Sequence, residues 1–488
     1  MMHALMLAAA LGAATPAPDA QTLEAVRLLG EFTAIPSQSA DGSGVRQAAA
    51  WLESKFSALG FETRALAGGA ESNPVLLASR APRAGKTAAA TVMFYMHYDT
   101  QPTGGPDDWA STGGESFGAR LLSDRFDQPG ARALQLDDLD EAALRSARIY
   151  GRGVADDKAP IVMHLMALAE FLTDPLADRL HLKFLLDGEE EAGSVHMAEV
   201  LARNPEALRS DLIVINDGPM DALGRPAVYL GTRGDMHARL RLRTAASSAH
   251  SGNYGLLPNA AFRMASLLAS MKDARGRIHV EGIEQGSPVP TESERETLRA
   301  ASLAEAAIAA ELGTPAFEGD PAISYYERLL FHPSLIVNQV ASGRPGNQIP
   351  VVAEAILEVR LVPGQEAQTV FEALRRHVAK LEPAAELELM NAAPGHRVTP
   401  ADPAVARGIA AIRAALPEAR RQDLLVYPSL GGTLPLLGLF AEAGHRYVGL
   451  PLVNYDNNQH VANENLRLAV LPEGIALLRR LYGTLAAQ

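Results

Sequence analysis

The residues able to do chemistry in this 488-residue chain come in short, separated groups. The densest is Leu186-Asp187-Gly188-Glu189-Glu190-Glu191-Ala192-Gly193-Ser194, a block of carboxylates at the end of an apolar run. Adjacent carboxylates repel one another, so the block requires water or cations beside it. His97 and Asp99 stand two apart after a second apolar run, where a loop can aim both at one point and the carboxylate can ligate or steady the imidazole. Asp156-Asp157 adds two acids at the end of the Gly-rich turn Gly151-Arg152-Gly153-Val154-Ala155. Asp217, and His460 in Asn458-Gln459-His460-Val461-Ala462-Asn463-Glu464, complete a mixed set of imidazoles and carboxylates. The chain has no cysteine, so any metal must be held by His, Asp and Glu. That composition fits Zn2+, with Mn2+ or Co2+ as alternatives.

The elements that must position these residues can be read from periodicity. Residues 23–30 and 44–59 carry apolar side chains at helical spacing, and so do 161–172. Short apolar runs at 75–78, 91–95, 180–186 and 212–215 read as strands. Apolar strands separated by helices indicate an α/β fold, a doubly wound and mostly parallel sheet covered on both faces. Ligands of such sheets bind beyond the carboxyl ends of the strands. Three of the four runs lead into candidate ligands: His97 and Asp99, the glutamate block, and Asp217. The run at 75–78 leads only into Ser79 and Arg80.

Near residue 227 the pattern changes. Met236, Ala238, Leu240 and Leu242 alternate with His237, Arg239, Arg241 and Arg243, the period of a sheet with one wet face. Helical spacing at 258–271 and 366–381 accompanies strand-like runs at 353–361 and 386–390, so an α+β unit is inserted in the first domain. Helix–strand alternation resumes after residue 395. The expected organisation is a first catalytic part at 21–227, an insert at 228–395 and a second catalytic part at 396–488. The chain is 47% hydrophobic and 21% charged, an ordinary globular composition with room for a large and a smaller core. A formal charge of -13 argues against nucleic acid as a partner and offers no attraction to an anionic membrane. The apolar run at 4–14, followed by Thr15-Pro16-Ala17-Pro18, is too short to span a bilayer and suits a signal peptide over residues 1–20. The expectation is a periplasmic or secreted protein, the alternative a plain N-terminal extension on a cytoplasmic one.

Taken together, these motifs resemble the two-zinc aminoacylase, glutamate carboxypeptidase and carnosinase-type dipeptidase family, most of all the carnosinase-type nonspecific dipeptidases. The resemblance covers nearly the whole chain after residue 21. It implies that His97, Asp156 and Asp217 hold one metal and that Asp156, Glu191 and His460 hold the other, with Asp156 bridging. It further implies that Asp99 orients His97 and that Glu190 is the general base acting on a metal-bridged water, with Ala192-Gly193-Ser194 fixing the register of the triple glutamate. In resembling enzymes a histidine of the insert stabilises the oxyanion, often across a dimer, and His250 in Ser248-Ala249-His250-Ser251-Gly252 matches it. Arg360 matches the arginine that holds the free carboxylate of the substrate, a task suited to a bidentate guanidinium. Asn347 and the Gly431-Gly432-Thr433 turn are further candidate substrate contacts. The insert then serves as a lid and dimerisation domain, and the chain as a homodimeric exopeptidase acting on small peptides.

Two rival readings are an amidohydrolase removing acyl groups from amino acids at the same site, and a peptide-binding protein that keeps the fold without catalysis. A binding module has no use for Glu190. Met96 and Ala159 stand where the family has glycines, and the segment at 124–147 lengthens the stretch between Asp99 and Asp156. These departures bear on substrate preference. His164 and His196 fit no motif and read as structural.

Overall fold

The apolar strands do stack into one sheet, and its two faces are filled by alternate residues of the same strands. The computed structural model describes residues 19–66, 68–69, 72–83 and 88–488; the expected signal peptide lies outside the described residues apart from its last two positions. Eight strands form the central sheet, in the spatial order Glu62–Leu66, Val75–Arg80, Leu180–Asp187, Ala90–His97, Leu212–Ile215, Tyr447–Gly449, Ala227–Tyr229 and Leu425–Tyr427. From Leu180–Asp187 to Tyr447–Gly449 the neighbours run parallel. Val92, Phe94 and Met96 point into one core with Leu182, Phe184 and Leu186, against the helices Ala20–Thr33, Gly42–Ala58, Lys158–Phe171 and Val470–Ala487. Met93, Tyr95, Leu185, Ile213 and Ile215 point into a second core on the opposite face. A strand flanked on both sides by apolar packing has no polar alternation, which is why these runs read as uninterrupted hydrophobes.

Val75–Arg80 pairs antiparallel with Leu180–Asp187. Its carboxyl end therefore points away from the edge where the parallel strands finish, which explains why Ser79 and Arg80 lead to no ligand. Its opposite end does reach that edge, through Asn73, whose Nδ2 donates to the carbonyl of Gly188 at 3.0 Å and to that of Ser39 at 2.9 Å.

A second sheet of four antiparallel strands, ordered Ser334–Ser342, Val352–Leu361, Gly234–Arg243 and Glu386–Ala393, forms the body of the insert. Met236, Ala238, Leu240 and Leu242 face a core shared with the helices Ala260–Met271 and Ala367–Leu381. The arginines between them face outward, where Arg239 meets Glu388 at 3.2 Å. The chain enters and leaves this unit side by side, Gly231–Thr232 pairing with His396–Arg397. One stretch departs from the expected division. The helices Glu292–Ala301, Glu305–Glu311 and Tyr325–Phe331 lie within the insert in sequence, yet Leu298, Ala301, Ile308, Leu330 and Phe331 belong to the second core of the central sheet.

The lengthened segment before Asp156 builds a small sheet of Ala133–Leu134, Arg120–Leu122, Arg148–Tyr150 and Asn465–Arg467. This sheet fastens the turn before Asp156 to the stretch just after His460. Among the described residues no helix is long and apolar enough to cross a membrane.

Candidate metal centre

His97 closes one parallel strand, Asp187 closes its neighbour, and Asp217 follows Leu212–Ile215 by two residues. Asp156 sits just ahead of the helix Lys158–Phe171, and His460 lies in the loop between Tyr447–Gly449 and Asn465–Arg467. Asp156 stands at the centre of the cluster. Its Oδ1 lies 2.9 Å from His97 Nε2 and its Oδ2 lies 3.0 Å from His460 Nε2. His460 Nε2 is also 3.3 Å from Glu191 Oε2. Donor atoms of His97, Asp156 and Asp217 lie within 4.8 Å of one another, and so do those of Asp156, Glu191 and His460. These triads could each hold a metal ion, and they share Asp156. The same spacing holds for His97, Glu190 and Glu191, but Glu191 is already part of a triad. That leaves Glu190, with its Oε2 3.9 Å from His97 Nε2, as the carboxylate beside both triads and within neither.

The chemistry of this donor set fits cations. His97 Nδ1 is 3.3 Å from Asp99 Oδ1 and 3.1 Å from the Asp99 carbonyl, while Nε2 faces Asp156. A neutral imidazole donates from one nitrogen only, so this ring is either doubly protonated or has a cation in place of its Nε2 proton. Burial opposes charge on His97, yet hydrogen bonds with Asp156 and Asp99 hold its pKa well above the ordinary value. The hydrogen bond to Asp156 raises His460 to about 9. Burial and then the Asp156 charge push Glu191 up to about 8, and burial lifts Asp217 to about 6. Glu190 is driven well above the usual carboxylate range, first by burial and then by Asp217 and Glu191 outweighing His97. Asp156 alone is held low, because two imidazoles overcome its burial. The protein thus gathers protons wherever a divalent cation would supply the missing positive charge.

Surrounding groups fix this geometry. Asp99, fully buried, accepts from Ser39 Oγ at 2.7 Å and from the backbone N–H groups of Glu190 and Glu191 at 3.1 Å each. One carboxylate therefore steadies both the imidazole of His97 and the turn carrying the two glutamates. Glu189 is turned away, accepting from the Asn73 N–H at 2.8 Å and pairing with His196 Nδ1 at 2.9 Å. Gln101 Nε2 donates to Glu191 Oε2 at 2.8 Å, and Gln459 Nε2 donates to Asp156 Oδ2 at 3.4 Å. His164 is buried between Asn216 and Tyr482, as a structural histidine should be.

Glu464 has a role that its motif did not disclose. Completely buried, it accepts from Arg152 Nη1 and from the N–H groups of Gly153 and Ala155 at 2.9 Å, and from Asp156 N–H at 3.0 Å. It shapes the turn that presents Asp156. The available signal was Arg152 itself, since an arginine inside a tight glycine turn needs an acid to be buried with. Gly153 adopts φ of 79°, and a Cβ there would lie 2.5 Å from Thr100 Cγ2, so glycine is required on both counts. His460 has φ of 65°. Its loop is pinned by Asn463, whose Oδ1 accepts from Ser111 N–H and whose Nδ2 donates to the Asp108 carbonyl, both at 2.9 Å.

Of the four expected substrate contacts, one lines the cavity of this centre and a second is hydrogen-bonded to it. Thr433 lines a cavity of about 310 Å3 with Asp156, Glu190, Asp217 and His460, and Arg360 Nη1 donates to Thr433 Oγ1 at 3.1 Å. His250 and Asn347 do not line that cavity within one chain. They lie together on the insert, where Ser251 N–H donates to the Asn347 carbonyl at 2.8 Å and Asn347 lines a separate hollow. Both are exposed.

Comparison with known proteins shows the family of the chain. Residues 93–483 match peptidase family M20/M25/M40. The chain is 26% identical over 403 residues to human Beta-Ala-His dipeptidase, covering 80% of this chain and 74% of that protein. It is 31% identical over 218 residues to the cysteinylglycine-S-conjugate dipeptidase of Corynebacterium striatum, covering 43% and 42%. Among solved structures, the M20 metallo-carboxypeptidase Sso-CP2 of Sulfolobus solfataricus superposes with a TM-score of 0.74 at 25% identity, covering 95% of this chain and all of that one.

The proton balance of the centre makes a prediction. His460, Glu191 and Asp217 all bind a proton more tightly folded than unfolded, so between about pH 4.5 and pH 9 these three groups carry more protons in the metal-free folded state than in the unfolded one, against the opposite shifts of the buried Lys158 and His164. The centre's contribution to the stability of chelator-stripped protein should therefore fall as pH rises through that window, and more in the unaltered chain than in Glu191→Gln. Thermal melts from pH 5 to pH 9 should show the decline, and added Zn2+ should raise the midpoint most at the alkaline end.

Proposed function

The chain belongs to peptidase family M20/M25/M40 and is a metallopeptidase; from that premise we propose an exopeptidase that hydrolyses dipeptides or short peptides at a two-cation centre. The observation that carries this reading is the division of Asp156 between two imidazoles, His97 on one oxygen and His460 on the other. His97, Asp156 and Asp217 would hold one cation and Asp156, Glu191 and His460 the other, Zn2+ being the ion best suited to the donors. Bound there, the pair would supply Lewis acidity for activating water and polarising the scissile carbonyl. Relatives that are dipeptidases by name support a peptide substrate over an N-acyl amino acid.

Glu190 would move the proton. It lines the cavity beside both triads, and its turn is held by Asp99. With cations bound beside it, Glu190 would take a proton from water and pass it to the leaving amine. Arg360, hydrogen-bonded to Thr433 at the cavity wall and paired with Glu358, would hold the free carboxylate of the substrate.

His250 and Asn347 belong to this reading through a second copy of the chain. Ser334–Ser342 is the outermost strand of the insert sheet, and its Ile336, Val337 and Val340 are exposed. Tyr254 and Leu256, just after His250, are exposed as well. An apolar, unprotected strand edge is suited to pairing with another copy. A homodimer formed along it would carry His250 of one chain towards the site of the other, where the imidazole would stabilise the oxyanion.

Three experiments test these assignments. Protein stripped with a chelator and reloaded with Zn2+ or Mn2+ should regain turnover on a dipeptide panel, whereas failure on dipeptides and N-acyl amino acids alike would remove the hydrolase reading. Glu190→Gln should lower kcat by roughly 10^2 to 10^4 with metal content unchanged, and full activity would remove the base assignment. For the dimer, Glu190→Gln and His250→Ala chains should be co-expressed. If His250 works across the interface, the mixed dimer has one site with both lesions and one with neither, so it should show activity that each variant lacks alone.

A further inference from the structure

We propose that the cavity beside Asp156, Glu190 and Asp217 is a specificity pocket for one bulky apolar or aromatic side chain of the substrate. The proposal rests on the dipeptide-hydrolase reading of the same site and adds the class of residue that the site selects. The cavity measures about 310 Å3. Away from the candidate ligands its wall is made by Tyr326, Leu329, Leu330, Tyr427, Leu430 and Leu434. Half of these come from the helix Tyr325–Phe331, which lies within the insert in sequence and packs on the central sheet in space.

The charges of the cavity decide what it can accept. Among its described lining residues, Asp156, Glu190, Asp217 and His460 stand at the ligand end, and Asp221 is the one charged group elsewhere. Asp221 is committed. It accepts from Tyr427 Oη at 2.8 Å, from Arg225 Nε and Nη2 at 2.9 Å each, and from the Leu223 N–H at 2.9 Å. These bonds use up the acceptor capacity of a carboxylate. Burial opposes its ionisation, but Arg225 and Tyr427 hold its carboxyl below the usual range. Arg225 is committed too, its remaining donors going to the carbonyls of Ala300 at 2.7 Å and Ala301 at 3.3 Å. A charged substrate side chain entering this space would lose water and gain no partner. A leucine or phenylalanine side chain would lose only apolar hydration and gain contact with the aromatic and leucine wall.

The same bonds make Arg225 a positioning residue for the pocket. It links Asp221 to the end of the helix Glu292–Ala301, against which Tyr325–Phe331 packs. The wall is therefore fixed to the central sheet rather than to the insert body.

The test uses metal-loaded full-length protein and two dipeptide series, X-Gly and Gly-X, with X as Gly, Asp, Lys, Leu or Phe. In one series kcat/KM for Leu and Phe should exceed that for Gly by about tenfold or more, with Asp and Lys falling below Gly. Leu329→Trp, which fills the cavity from a half-buried position, should bring the Phe-to-Gly ratio of that series down towards unity while metal content is kept. Leu430→Trp serves the same purpose from a different element should the first variant fail to melt cooperatively. A flat profile in both series, a preference for Asp or Lys, or an undiminished ratio in a folded filled variant would overturn the pocket assignment alone. Absence of turnover on every member rejects the dipeptide-hydrolase reading and this proposal with it.

Discussion

Asp156 accepts an imidazole on each of its two oxygens, with Glu190, Glu191 and Asp217 crowded alongside in a largely buried space. Electrostatics sets the terms for everything around it. So many acids close together cannot all be ionised without compensating positive charge, and the protein contributes only two imidazoles to the cluster. The metal-free site answers by binding protons, lifting Glu190, Glu191 and Asp217 and charging both histidines. Two divalent cations would resolve the same imbalance and free Glu190 for proton transfer.

The fold makes such a cluster tolerable by building it from rigid parts. Parallel strands end together, so His97, the glutamate turn and Asp217 arrive at one edge without long loops. The remaining pieces are tied by two buried carboxylates. Asp99 couples His97 to the N–H groups of Glu190 and Glu191, and Glu464 couples the Asp156 turn to the strand after His460. Neither need meet substrate. Each holds side chains that the unlike charges alone would not orient. The small sheet joining Arg148–Tyr150 to Asn465–Arg467 performs the same service at the level of backbone.

Much of this was legible in the sequence because the candidate ligands follow apolar runs directly. His97, the glutamate block and Asp217 are read from their positions, whereas the choice of Glu190 and Glu191 within the block comes from the family resemblance; in the structure the triple glutamate has three surroundings: His196 for Glu189, the cavity for Glu190, and His460 for Glu191. What was hidden depends on partners distant in the chain. Glu464 meets Arg152 across 312 residues, and no local pattern couples them. The direction of Val75–Arg80 is absent from its composition, since an antiparallel strand buried on both faces has the same residues as a parallel one. The helices at 292–331 are amphipathic, but periodicity does not say which sheet their apolar face will meet. Nothing in the sequence around His250 and Asn347 shows that they stand outside the cavity of their own chain.

Metal stoichiometry tests the central claim most directly. Protein stripped with a chelator, titrated with Zn2+ and measured by calorimetry with elemental analysis of the product, should bind two ions per chain. Glu191→Ala, which removes a side chain from one triad and leaves His97, Asp156 and Asp217 intact, should reduce that to one. One ion or none in the unaltered chain, or two retained in the variant, would contradict a centre built on a carboxylate shared between two cations.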